Sequence, residues 1–156
     1  MSKNNKINSQ LSLNPLNLDN QLCFPLYAAT NLIQRLYRPL LVPLGLTYSQ
    51  YLVMLILWER EPASVGEIRE CLHLDIGTLS PLLKRMETAG LVSRQRDAED
   101  ERRVLVALTP HGRALREKAT GIPAALTART GLELREVEDL RDQTRDLVTK
   151  LAEVME

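Results

Sequence analysis

One stretch, from Leu74 to Thr109, constrains the fold of this 156-residue chain more than any other. Its first half carries apolar residues at spacings of three and four, which predicts a helix with one buried face. These residues are Leu79, Leu82, Leu83 and Met86. Gly90 then indicates a helix end, and residues 91–96 and 104–108 alternate as strands do. A helix followed by a hairpin with a charged tip predicts a winged helix-turn-helix, in which the helix enters a major groove of DNA and the hairpin a minor groove.

Composition gives weaker evidence about function than this stretch does. Net charge is zero, and between Asp75 and Arg103 six basic residues are balanced by six acidic ones, so composition alone does not indicate DNA binding. No apolar run is long enough to span a membrane and no secretory signal pattern opens the chain, which predicts a cytoplasmic protein without membrane contact. The two cysteines and two histidines lack the spacing of metal ligands, so we expect no metal and no other cofactor.

The chain divides into three regions within a single domain. We expect residues 1–18 to form a flexible, Asn- and Ser-rich arm. Residues 47–109 are expected to form the winged helix-turn-helix. Residues 19–46 and 110–156 carry amphipathic helical patterns with more apolar surface than so small a DNA-binding unit can cover, so we expect them to be dimerisation helices.

Helix starts are marked by capping residues. Thr47 with Gln50 and Ser64 with Glu67 fit capping boxes, and the helix after Thr47 is expected to bury Leu52, Leu55 and Ile56. Further predicted starts are Asp75 or Thr78 for the helix of the opening stretch, Thr109-Pro110 for a helix toward Thr120 that Pro123 kinks or breaks, and Glu133 for the last helix. The fold class is therefore mainly α with a small β-hairpin wing.

Several motifs occur in one order and at spacings that resemble the MarR family of winged-helix regulators. They match most closely its organic-hydroperoxide-sensing branch, the OhrR-like repressors. The motifs are LDNQLCFPLYAA, YRPLL, LGLTYSQYLVMLILWE, LDIGTLSPLLKRMETAGLVSR and AEDERRVLVALT, and the likeness covers residues 18–118. The resemblance implies a homodimer that binds near-palindromic, double-stranded operator DNA and is released from it by an organic hydroperoxide.

The resemblance also assigns roles to particular residues. Cys23 corresponds to the branch's redox-sensing cysteine, and Tyr37 and Tyr48 correspond to tyrosines that support its thiolate. Tyr27 corresponds to a third supporting tyrosine, which the family draws from the partner subunit. In the region of the branch's second, resolving cysteine this chain reads GIPAALTART, which implies that oxidised Cys23 captures a small cellular thiol as a mixed disulfide or is oxidised further.

Cys23 also has a plainer interpretation. A thiol attacks a peroxide as its thiolate, and a helix start near Pro25 together with tyrosine hydroxyls would favour that anion. Most isolated cysteines are instead small buried hydrophobes, and tyrosines are commonly core aromatics. Cys71 matches no family site; core packing is the role we expect for it, and a resolving role is the alternative.

The DNA-contacting residues are expected on the outer face of the helix and on the wing. The candidates on the helix are Thr78, Ser80, Lys84 and Arg85, and those flanking the wing are Arg94 and Arg96. Either flanking arginine could contact a phosphate or pair with Asp97 or Glu99. The resemblance adds Asp100 and Arg102, in which the arginine enters the minor groove and the aspartate steadies it. Each of these charges could instead belong to a solvated surface.

Three other functions remain open at this point. The chain could be a regulator of the same fold that a phenolic or other small ligand releases from DNA. It could be a thiol peroxidase that uses Cys23 for turnover, although no resolving cysteine or placed base accompanies the thiol. It could also be a helical interaction module that never binds DNA. No catalytic residue is predicted, and we expect a regulator rather than an enzyme.

Overall fold

The structure, a computed structural model, describes residues 14–155. Within this range it contains seven α-helices and three β-strands. The helices are α1 (Cys23–Leu41), α2 (Tyr48–Glu59), α3 (Val65–Leu72), α4 (Ile76–Thr88), α5 (Pro110–Ala119), α6 (Ile122–Thr130) and α7 (Leu134–Met155). The strands are β1 (Ala63–Ser64), β2 (Val92–Arg96) and β3 (Val104–Leu108). The predicted class, mainly helical with a β wing, is confirmed.

The three strands form one antiparallel sheet in the order β1-β3-β2. The hairpin pairs Val92 with Leu108 and Arg96 with Val104, so its tip spans residues 97–103. Strand β1 pairs Ala63 with Val106. The sequence did not indicate β1, because two residues are too few to show an alternating pattern.

Capping residues set the helix boundaries as predicted. Thr47 and Ser64 both form complete capping boxes, with Gln50 and Glu67 respectively. Thr109 caps α5 by accepting a hydrogen bond from the Gly112 N–H at 3.0 Å. Helices α2, α3 and α5 therefore begin where a side-chain oxygen satisfies an N–H group that has no partner inside the helix.

Two proline effects shape the helices. Helix α1 begins two residues before Pro25, which agrees with the predicted helix start near this proline, and it continues through Pro39 to Leu41 before a 3-10 turn at Val42–Leu44. Pro123 prevents α5 from continuing and lies in the first turn of the separate helix α6. Proline lacks the N–H that a continuing helix needs, and it fits the first turn of a new one.

The core lies between the sheet and helices α2 to α5, and the end of α1 and the start of α6 also contribute to it. It includes the predicted stripe of α4, namely Leu79, Leu82, Leu83 and Met86. The prediction for α2 was wrong at Leu55, which is 41% exposed, whereas Leu52 and Ile56 are half-buried. The fully buried residues of this helix include Val53, Met54 and Leu57. Helix α2 is apolar on nearly every side, so its sequence periodicity could not indicate which face the core covers.

Neither the last helix nor the N-terminal segment of the described chain, residues 14–22, contributes a buried residue. No residue of α7 is buried, although the helix carries Leu140, Leu147, Leu151 and Val154. The predicted arm lies outside the described residues as far as residue 13. From Asn14 the chain forms a turn and a 3-10 helix (Leu18–Asn20), where the Gln21 side chain donates to the Pro15 carbonyl at 2.7 Å.

Within residues 14–155 no single helix is both long and apolar enough to cross a membrane. The pair Cys23–Leu44 and Tyr48–Glu59, bent by 68°, passes that test only jointly and only by length and composition.

Candidate DNA interface and thiol site

Helix α4 presents a polar outer face. Its buried stripe packs on the core, while the predicted DNA-contacting residues Thr78, Ser80, Lys84 and Arg85 are all exposed. Asp75 is the N-cap: it accepts hydrogen bonds from the Thr78 N–H and the Thr78 hydroxyl, both at 2.8 Å. These bonds lower the pKa of Asp75, so its carboxylate stays ionised. The first turn of α4 is therefore fixed where a reading helix would meet base edges.

At the wing tip the side chain of Arg102 extends into solvent. Asp100 accepts hydrogen bonds from the Arg102 backbone N–H at 3.1 Å and from the Arg102 Nε at 3.0 Å. The hydrogen bonds from Arg102 lower the pKa of Asp100. The Arg102 side chain is nonetheless 91% exposed. Asp100 thus orients a guanidinium that remains free to enter a groove.

Arg94 does not form either of the predicted pairs. It binds Glu87 of α4 through Nη2 at 2.7 Å and Nε at 3.1 Å, and its backbone N–H also donates to that carboxylate. Of the two alternatives for Arg94, the pair with Asp97 or Glu99 is wrong, because β2 runs alongside the end of α4 and brings Glu87 closer. Arg94 therefore ties the wing to the reading helix. Arg96 is exposed and makes no ion pair with a carboxylate of residues 14–155.

Arg103 and its neighbour Arg102 point to different partners. Arg103 lies 3.7 Å from Glu67 of α3 and 3.6 Å from Asp97 of the wing. It therefore links the hairpin to the first helix of the helix-turn-helix. A cleft of about 530 Å³ lies between wing and helices, lined among others by Ser80, Arg94, Arg102 and Arg103.

Cys23 is the first residue of α1 and is exposed. Leu22, which precedes it, has no side-chain group that can cap the helix, so N–H groups near the sulfur have no intrahelical partner. Leu22 is 66% exposed and Leu26 is 37% exposed, which gives the thiol an apolar surrounding. The interpretation of Cys23 as a buried hydrophobe is therefore wrong for the single chain.

Four aromatic rings form a cluster at the other end of α1. The ring of Tyr37 lies 4.9 Å from that of Tyr48 and 5.7 Å from that of Tyr51, and Tyr51 in turn contacts Trp58. Burial raises the pKa of Tyr37 to about 12, with further contributions from Tyr48 and Tyr51. The pKa of Tyr48 is also raised by burial. These phenols stay protonated at neutral pH and can donate hydrogen bonds to an anion.

A single chain does not bring the thiol to this cluster. Cys23 and Tyr37 lie on the same helix, and at 1.5 Å per residue they are about 21 Å apart along its axis. Tyr27 lies one turn from Cys23 on that helix and is 69% exposed. Within one chain, Tyr27 and not Tyr37 is therefore the tyrosine near Cys23, and which tyrosines the partner supplies stays a prediction.

A groove runs beside the tyrosine cluster, between α1 and the start of α2. It has a volume of about 540 Å³, and we call it the arginine groove. Its lining includes Tyr27, Asn31, Arg35, Arg38, Thr47 and Tyr48.

Cys71 and the histidines are separate from both sites. Cys71 is exposed rather than packed in the core, and the Arg60 guanidinium donates to its sulfur. His73 ends α3 in the left-handed conformation, with φ of 49°. Among residues 14–155 no group of three or more His, Cys, Asp or Glu side chains could hold a metal ion.

Sequence reasoning missed Glu87 and Tyr51. Glu87 lies at a half-buried position on α4, and nothing in its sequence context indicates a partner seven residues ahead. Tyr51 is 2% exposed and contacts Tyr37. Its spacing of three from Tyr48 on a helix was the signal that could have identified it.

Comparison with known proteins agrees with this architecture. A family model described as transcriptional regulator SarA/Rot matches residues 35–119. The organic hydroperoxide resistance transcriptional regulator of Bacillus subtilis (strain 168) is 48% identical over 136 residues, covering 87% of this chain and 90% of that protein.

Solved structures of AbfR from Staphylococcus epidermidis are also similar. Reduced AbfR bound to DNA is 35% identical with a TM-score of 0.74, covering 89% of this chain and 95% of that one. Overoxidised AbfR bound to DNA is 37% identical with a TM-score of 0.64, covering 83% and 95%. Disulfide-formed AbfR is 34% identical with a TM-score of 0.58, covering 94% and 99%.

Proposed function

This chain belongs to the MarR/SarA family of winged-helix, DNA-binding transcriptional regulators, and we propose that it releases operator DNA when an organic hydroperoxide oxidises Cys23. It is a regulator and not an enzyme. The observation that carries the proposal is the exposed Cys23 at the start of a helix whose other end holds a cluster of protonated tyrosines. Because it is similar to transcriptional regulators, which act on DNA inside the cell, we also propose a cytoplasmic location.

A symmetric homodimer is the assembly that suits the exposed apolar surfaces. Leu22 before α1, Leu26 and Ile33 within it, and Leu140 and Leu151 of α7 are all exposed. An exposed apolar surface of this extent commonly marks a protein interface. Residues 19–46 and 110–156 would then form the interface. A two-fold axis also supplies two reading helices for a near-palindromic operator.

The same symmetry would complete the thiol site. In a two-fold interface, if residue i of one chain contacts residue j of the other, then j also contacts i. Antiparallel pairing of the two α1 helices about an axis near Thr30 would place Cys23 of one protomer level with Tyr37 of its partner. By the helical repeat of 100° per residue, Cys23 shares a stripe of α1 with Tyr27 and Arg38. Each of the two sites would then draw its thiol from one chain and Tyr37 and Tyr48 from the other.

The chemistry follows from that arrangement. The phenol O–H groups donate to the thiolate and hold it as the nucleophile. Its sulfur attacks the terminal peroxide oxygen, so that the S–O bond forms as the O–O bond breaks. The alkoxide takes a proton and leaves as the alcohol, and Cys23 becomes a sulfenic acid. A small cellular thiol then attacks this sulfur and displaces water, which gives a mixed disulfide.

The bulk of the mixed disulfide is the element of the switch that we favour. AbfR binds DNA in an overoxidised state, so in that relative added oxygen does not by itself prevent binding. A group the size of a small thiol in an interface between two α1 helices would instead force them apart. The two reading helices would then no longer match successive major grooves.

On DNA, the two kinds of candidate residue would have different tasks. Thr78 and Ser80, near the start of α4, suit base edges, while Lys84, Arg85 and Arg96 suit phosphates. Arg102, oriented by Asp100, suits a narrow minor groove.

The test is the release of a fluorescent operator duplex, measured by anisotropy after cumene hydroperoxide and a small thiol are added. We expect the wild type and Cys71→Ser to lose DNA, and Cys23→Ser to keep it. If Cys23→Ser releases DNA as readily as Cys71→Ser, then Cys23 is not the sensor and a ligand-released regulator becomes the better account.

A further inference from the structure

The arginine groove carries an excess of positive charge that nothing in the described chain balances. Arg35 and Arg38 both line it, and none of its eight lining residues is acidic. Neither guanidinium makes an ion pair with a carboxylate anywhere in residues 14–155. Thr47, also in the lining, is the N-cap of α2, so the positive end of that helix dipole faces the same space.

The groove is also large enough and suitably composed for an amphipathic ligand. Its volume of about 540 Å³ falls within the range of small-molecule sites. Tyr48, which lines it, is in ring contact with Tyr37. A ligand that ran along the groove would therefore have one end at the two guanidiniums and the other beside the phenols.

From these features we infer that the arginine groove binds the carboxylate of an amphipathic organic hydroperoxide, of the fatty-acid type, and directs its peroxide end toward Cys23 of the partner. The inference rests on the proposed function. A planar guanidinium matches a carboxylate through two parallel hydrogen bonds, and two such groups one helical turn apart can share one anion. Arg35 and Arg38 thus determine which hydroperoxides oxidise the sensor fastest.

A different role for the same arginines predicts a different result. Under the proposed pairing, Arg38 would also lie close to the partner's thiolate and could stabilise it directly. In that case its loss would slow oxidation by every hydroperoxide to the same degree. A carboxylate-binding role instead affects only hydroperoxides that carry the acid.

The experiment compares three oxidants: linoleic acid hydroperoxide, the methyl ester of the same hydroperoxide, and cumene hydroperoxide. The rate of Cys23 oxidation is measured by intact mass on the full-length protein, below micelle-forming concentrations. The variant is Arg35→Gln/Arg38→Gln. Its control, Arg69→Gln/Lys118→Gln, removes the same charge from exposed positions outside the groove.

For the wild type and the control we expect the acid to react roughly tenfold faster than its ester, the order of one charge-assisted hydrogen-bonded pair. In Arg35→Gln/Arg38→Gln that ratio should fall to about one, while the cumene hydroperoxide rate stays within about twofold. Equal rates for acid and ester in the wild type would overturn the inference. So would a preference that survives in Arg35→Gln/Arg38→Gln, or an equal slowing of all three oxidants. If cumene hydroperoxide leaves wild-type Cys23 unoxidised, the proposed function itself fails.

Discussion

Cys23 and Tyr37 occupy opposite ends of one helix, about 21 Å apart along its axis. The distance means that a thiol site built from both residues needs two chains. It also explains why each end of α1 is incomplete by itself: the thiol end has exposed apolar neighbours, and the tyrosine end has an open groove. The separation thus connects redox sensing with dimerisation, since the interface that fixes the spacing of the reading helices would also contain the reactive sulfur.

Replacing either of two adjacent arginines of the wing should change the salt dependence of DNA binding in different ways. Arg102→Ala should weaken DNA binding and reduce the slope of log affinity against log salt by about one, because this exposed guanidinium displaces a counterion on DNA. Arg103→Ala should weaken binding a few-fold without changing the slope, because Arg103 pairs with Glu67 and Asp97 rather than with DNA. Anisotropy titrations over a range of salt concentrations measure both.

A matched variant tests the role of Arg103 further. Glu67→Gln keeps the capping box, since glutamine also serves at that position, but loses the charge that faces Arg103. Its effect on affinity and that of Arg103→Ala should not add in the double variant. A reduced salt slope in Arg103→Ala would instead assign that residue to a phosphate.

Buried Tyr37 predicts a loss of stability at alkaline pH. Its pKa is raised from about 10 to about 12, so the fold favours the protonated phenol. The resulting stabilisation is complete below about pH 10 and is lost as pH rises toward 12. The free energy of unfolding, measured with urea at about pH 9 and about pH 11, should therefore fall less with pH in Tyr37→Phe than in the wild type. Tyr27→Phe, at an exposed position, serves as the control, and an equal drop in all three proteins would contradict the assignment.

Replacing each of two glycines with alanine should have opposite effects on stability. A Cβ at Gly112 would overlap the Leu91 carbonyl oxygen, where α5 crosses the start of β2, so Gly112→Ala should cost about 2 kcal/mol or more. At Gly66 a Cβ would meet only the Ser64 Oγ, at 3.8 Å. Gly66→Ala should therefore leave stability unchanged or raise it by up to about 1 kcal/mol, as in other helices. Urea unfolding measures both changes, and a neutral Gly112→Ala would show that the two elements can separate at no cost.

The sequence indicated those parts of the fold that local chemistry determines. Thr47, Ser64, Asp75 and Thr109 each begin a helix because their side-chain oxygens satisfy nearby N–H groups, and that signal lies within four residues. The stripe of α4 was equally local. The buried face of α2 was not, because a helix that is apolar all round gains its orientation only from packing against other elements.

The site was predictable to a lesser degree. The motifs pointed to Cys23, Tyr37 and Tyr48, but only the folded structure reveals that one chain separates the first from the other two. The Arg94–Glu87 pair likewise depends on how β2 runs past α4, which no local pattern specifies. Contacts between elements distant in sequence are decided by tertiary packing, and charge pairs are among the least specific of these.

The most direct test of the account is a heterodimer with one altered residue set in each chain. One chain carries Cys23→Ser, the other carries Tyr37→Phe/Tyr48→Phe, and different affinity tags allow the mixed dimer to be purified. If the site forms across the interface, the remaining Cys23 faces two intact tyrosines. Cumene hydroperoxide should then oxidise it at the wild-type rate, while the Tyr37→Phe/Tyr48→Phe homodimer reacts about tenfold more slowly or worse. A heterodimer as slow as that homodimer would contradict the account, because Cys23 would then depend on the tyrosines of its own chain.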